Sequence, residues 1–100
     1  MIELPSIKEM ASMAVTGATY KERAIGEYWF VKIKYQRLHD MIIKREADML
    51  PFKPNCPMEQ WKAQADAMGQ YLYQLEIKAA MEGIDLDDVF RSCEEGTCEV

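Results

Sequence analysis

Apolar residues recur along two stretches of this chain at alternating spacings of four and three. In the first, Ala24, Tyr28, Val31, Tyr35, Leu38, Ile42 and Met49 keep that rhythm, broken only by Arg45; in the second, Trp61, Ala65, Met68, Leu72, Leu75 and Ala79 repeat it. Such spacing puts side chains on one narrow face of an α-helix, so each stretch predicts a helix with an apolar seam. Pro51, Pro54 and Pro57 bracket a short link that neither helix can run through. Two long helices with matching seams and a short connection predict an all-α fold, an antiparallel two-helix hairpin.

The ends of these elements are written in local chemistry. A short first helix is expected from Pro5 or Ser6, with Ile7, Met10, Ala11 and Val15 at helical spacing and Thr16-Gly17 as its stop. Thr19 and Glu22 form a Thr-x-x-Glu start, in which hydroxyl and carboxylate each satisfy a backbone N–H that the helix leaves without a partner. The first long helix should then run to Met49 or Leu50. Pro57 suits the first turn of the second, with Cys56 or Asn55 as cap and Glu59 on its positive end. That helix is expected to last to Met81 or Glu82, stopped by Gly83, after which Asp85 can cap a final short helix holding Leu86, Val89 and Phe90. The chain divides accordingly into an N-terminal helical segment (1–18), the hairpin (19–84), and a short helix with an acidic tail (85–100).

Each long helix carries a second apolar stripe. Trp29, Phe30 and Ile33 lie away from the first seam, and Tyr73, Ile77, Ala80, Met81 and Ile84 do the same on the second helix. In an antiparallel pair both stripes fall at the end from which the termini emerge. A large apolar patch left in water is costly, so this end should be covered by Ile7, Met10, Leu86 and Phe90 together with another chain. A lone two-helix hairpin buries only a strip, which makes dimerisation into a helical bundle the expected solution, with Trp29, Phe30, Ile33, Tyr73, Ile77 and Met81 as interface.

Composition bounds what such a chain does. One hundred residues make one domain with little surface to spare for a separate catalytic cavity. The absence of a long apolar run or of a signal-peptide start predicts a cytoplasmic protein that does not engage a membrane. Three cysteines, Cys56, Cys93 and Cys98, are too few and too late for a disulfide framework, so reduced thiols are expected. From Glu82 onward seven acidic residues face one Arg91, leaving six net negatives there and one net positive in residues 1–81. An acidic tail of this kind repels nucleic acid, which is not an expected partner.

Candidate chemistry is sparse. His39, the only histidine, has no second ligand at helical spacing, and Cys93 and Cys98 lack two further donors for a metal, so neither a metal nor another cofactor is expected. No glycine-rich phosphate loop, nucleophile motif or paired inward carboxylates are present, and the chain is not expected to be an enzyme. One basic stretch stands out: Lys32, Lys34, Arg37, Lys44, Arg45 and Lys53. Glu27, Asp40, Glu46 and Asp48 interleave with it, so most of it reads as a solvated face. Lys32, Lys34, Arg37, Lys44 and Arg45 are nonetheless the candidate anion site, with the tyrosines Tyr20, Tyr28, Tyr35, Tyr71 and Tyr73 able to line a groove between protomers.

Tyr20 to Tyr28 (Tyr-Lys-Glu-Arg-Ala-Ile-Gly-Glu-Tyr), Pro54-Asn-Cys-Pro57, Gln64, Met68, Tyr71-Leu72, Leu75-Glu76 and Glu82-Gly-Ile-Asp-Leu86 together resemble a group of small helical proteins of tailed bacteriophages and prophages. The resemblance covers residues 19–86 and brings no catalytic residues. It implies a phage or prophage accessory protein acting in the bacterial cytoplasm. Two functional expectations follow: an adaptor or inhibitor that binds a host or phage protein through its second apolar stripe, or a module that sequesters a nucleotide or other small anion.

Overall fold

The computed structural model describes residues 5–88, and within them three α-helices and no strand: α1 (Ile7–Thr16), α2 (Tyr20–Glu46) and α3 (Met58–Glu82). The expectations placed on Val89, Phe90, Cys93, Cys98 and the acidic residues from Glu94 on lie outside the described residues.

Helix α1 begins at Ser6, whose hydroxyl accepts from the Glu9 N–H at 3.4 Å. Thr19 caps α2 by accepting from the Glu22 N–H at 3.1 Å, while the Glu22 carboxylate reaches back to the Ala18 N–H at 2.8 Å. That is the reciprocal capping read from the sequence, shifted by one donor. Helix α3 starts differently from expectation: Pro57 itself is the cap residue and makes no side-chain cap bond. Cys56 is exposed and lends its carbonyl oxygen to Arg45 at 2.8 Å.

Helix α2 stops at Glu46, short of the expected Met49 or Leu50. The stop is made by Asp48, which takes a left-handed φ of 60°, so that its N–H bonds to the Arg45 carbonyl and the Met49 N–H to the Lys44 carbonyl. Gly83 ends α3 in the same way, at φ 71°, with Ile84 N–H bonded to the Ala79 carbonyl at 2.8 Å. Both are the paired closing bonds that satisfy orphan carbonyls. The last prolines limit α2 from outside, but its own final turn closes it first.

Helix α1 lies against one side of α2 and α3 against the other. Gly26 permits the first contact: a Cβ there would sit 2.6 Å from Ala14 N and from Met13 Cβ and 2.8 Å from the Met10 carbonyl. Met10, Ile25, Tyr28, Trp29, Ile33 and Leu72 form the buried cluster, with Ile7, Met13, Phe30, Val31, Tyr35, Leu75, Ile84 and Leu86 packed around it. Bonds between α2 and α3 run in opposite senses along the two helices: Tyr20 donates to Glu82 at 3.0 Å, Tyr28 to Glu76 at 2.7 Å, and Lys62 pairs with Glu46 at 3.1 Å. The turn after α3 crosses back over α2, where the Trp29 indole N–H donates to the Leu86 carbonyl at 2.7 Å and Lys21 pairs with Asp88 at 3.1 Å.

Candidate functional site

The second apolar stripe is divided by the fold. Trp29 and Ile33 are buried in the chain's own core, Trp29 edge-on to Tyr28 with ring centroids 5.3 Å apart. They are covered by α1 and by Leu86. Tyr73, Ile77 and Met81 stand elsewhere, on the outer side of α3, with 61%, 37% and 82% of their surface exposed. Phe30 belongs to neither group: it is half-buried on a flank of α2.

That flank carries a site. Phe30, Lys34, Arg37, Met41 and Lys44 follow one another at spacings of four and three, so they share one flank of α2. The Lys34 ammonium lies 5.2 Å from the centre of the Phe30 ring, a cation held over a π-face. Across from Phe30, Val31 and Lys34, α3 presents Gln64, Ala67, Met68 and Tyr71, and these residues enclose a groove of about 320 Å³; Arg37, Met41 and Lys44 continue the flank beyond its lining. Tyr71 donates its hydroxyl to Glu27, and this bond, followed by partial burial, pushes the phenol up to about 12. An aromatic ring with a cation over it and a second aromatic across a gap are what a planar anionic ligand requires, in a groove at the lower end of the size range of ligand pockets.

The candidate anion residues do not stay together. Lys34 lines the groove, whereas Arg37 and Lys44 lie farther along the same flank of α2, outside its lining. Lys32, two positions from Lys34, falls on another side of the helix. Arg45 is engaged by the link, bonded to the Cys56 carbonyl and placed 4.8 Å from the centre of the Trp61 ring. The groove is also formed within one chain, by α2 and α3, where the sequence suggested a gap between protomers. Reading the sequence missed Gln64 and Ala67 as lining residues and assigned Phe30 to an interface. The four-residue spacing of Phe30 and Lys34, which sets one over the other on a helix, was the available signal.

A larger hollow of about 660 Å³ lies where α1 meets the start of α2, lined among others by Met10, Met13, Ile25, Lys21, Glu9, Glu22 and Asp88. Its single cation is already paired with Asp88, and Glu9 and Glu22 stand beside it, so it disfavours an anion. His39 is exposed and stacks on Tyr35 at 6.2 Å, on the surface of α2. Among the described residues no group of three or more His, Cys, Asp or Glu side chains could hold a metal ion, and no helix is long and apolar enough to cross a membrane.

No curated protein and no solved structure matches this chain. Residues 18–81, which take in both long helices and the link, match the family model described as Sequestin.

Proposed function

This chain belongs to the Sequestin family, and we propose that it acts by holding a nucleotide or similar small anion in the α2–α3 groove, without chemical change to it. The observation that carries this reading is the Lys34–Phe30 pair at 5.2 Å facing Tyr71 across the groove. A nucleobase would stack on the aromatic rings while Lys34 and Arg37 take the phosphate. The family's name points to binding as the activity, in keeping with a groove lined by stacking and ion-pairing groups. We place the protein in a phage or prophage, acting in the bacterial cytoplasm, where removing a small signal from solution needs affinity and abundance but no turnover. The supporting observation is the resemblance of residues 19–86 to phage proteins.

A second reading has its own observation. Tyr73, Ile77 and Met81 leave an apolar stripe on the outer side of α3. In this reading a second copy of the chain covers it, and the hairpin of α2 and α3 becomes half of a helical bundle; a host or phage protein is the other occupant of that stripe.

The test of the first reading is a thermal-shift screen of the chain against mononucleotides and cyclic dinucleotides. A stabilising ligand at 100 times its Kd contributes about 2.7 kcal/mol and raises Tm by several degrees. The shift should vanish in Phe30→Ala and Lys34→Ala. An unchanged Tm with every nucleotide at millimolar concentration contradicts the reading.

A further inference from the structure

We infer that the groove takes its ligand in one orientation, with an exocyclic amine of the base at Glu27 and the phosphate at Lys34 and Arg37. This rests on the reading of the groove as a nucleotide site. Glu27, Phe30, Lys34 and Arg37 rise along one flank of α2 in that order, with about 4.5, 6 and 4.5 Å of helix between successive levels. The flank therefore offers an anionic acceptor, Glu27, before the groove, an aromatic face with the Lys34 ammonium over it within the groove, and a second cation, Arg37, beyond it. An amine-bearing nucleotide presents the complementary order: donor edge, planar ring, sugar, phosphate.

Glu27 lies outside the lining of the groove and is tied to it by Tyr71, whose hydroxyl donates to Glu27 Oε2. Tyr71 lines the groove with its ring and so joins the stacking surface to the carboxylate. Among the described residues no hydrogen bond reaches Glu27 Oε1. A carboxylate has about four acceptor positions, enough to keep Tyr71 and accept an amine N–H as well. The reversed ligand would set phosphate against carboxylate and strand its amine beside Lys34, two like-signed encounters in one pose.

Isothermal titration of the full chain with adenosine 5′-monophosphate and with purine riboside 5′-monophosphate, which differs by the amine alone, tests the orientation. The expected result is binding of the first about tenfold tighter. In Glu27→Ala that ratio should fall to about one. Equal affinities for the two in the unmodified chain, both lost in Lys34→Ala, overturn the orientation and leave the groove reading standing. No binding of either at millimolar concentration overturns both. The decisive ratio is measured on the unmodified chain, so a variant that folds poorly does not blur it.

Discussion

Two glycines show how sharply a single Cβ is judged by its surroundings. At Gly26 the added atom would press on α1 backbone at 2.6 Å, with no flexible side chain to yield. At Gly69 it would meet only the Tyr35 ring, at 3.6 Å, an ordinary contact. Gly26→Ala should therefore destabilise by about 2 kcal/mol or more, through forced separation of α1 from α2. Gly69→Ala should stabilise by about 0.5–1 kcal/mol, because alanine loses less freedom than glycine in a helix interior. Urea denaturation of the two variants checks both, and the same sign for both would contradict the packing described. Tyr28 gives a pH dependence at the same scale. Burial, then its bond to Glu76, holds its phenol well above the usual value of 10.0. The folded chain thus keeps this proton after the unfolded chain has released it. Its contribution is complete below pH 10 and is lost as pH rises from 10 through the folded value. Stability measured from pH 9 to 11 should fall more steeply in the unmodified chain than in Tyr28→Phe; parallel curves would contradict the assignment.

Helix ends were legible in the sequence where one local signal acts alone. Thr19 with Glu22 and Gly83 after a long periodic stretch each specify a terminus through their own backbone chemistry, and α2 and α3 begin and end there. The end of α2 was not legible, because three prolines advertise a boundary at Pro51 while the actual stop depends on Asp48 adopting a conformation open to several residue types. Asp48 in the left-handed region also makes a prediction: Asp48→Gly should stabilise by about 0.5–1 kcal/mol, and Asp48→Val should destabilise by at least as much. Thermal melts of the pair would show opposite shifts in Tm. A helix that extends to Met49 in solution would give the reverse order. Most seam positions are buried or partly buried, because burial imposes periodicity; Met49 is the exception, lying past the end of α2 and 71% exposed. Flanks are less constrained, so Phe30 was grouped with the second apolar stripe and Gln64 was given no binding role.

For the molecule as a whole, α2 serves as the shared wall of two different contacts, with α1 and the turn after α3 enclosing Trp29 on one side and α3 packed along another. This division of labour explains why the apolar residues predicted to form one interface split into core, groove and outer stripe. A sequence shows how many apolar faces a helix has, but which neighbour takes each face is decided by the close approach at Gly26 and the path of the chain after Gly83. The outer stripe of α3 bears on assembly. If a second copy covers it, Ile77→Glu should turn a dimer into a monomer by light scattering while leaving helicity unchanged, since Ile77 lies outside the buried cluster. A mass unaffected by the substitution would remove that surface from consideration. The central claim, capture without chemistry in the α2–α3 groove, is tested most directly by an ultrafiltration and release measurement with the nucleotide giving the largest thermal shift. The account predicts that the protein depletes it from the filtrate, that heat denaturation returns it chemically intact and in full, and that Phe30→Ala leaves it in the filtrate. A released product of altered mass, or depletion undiminished in Phe30→Ala, would contradict it.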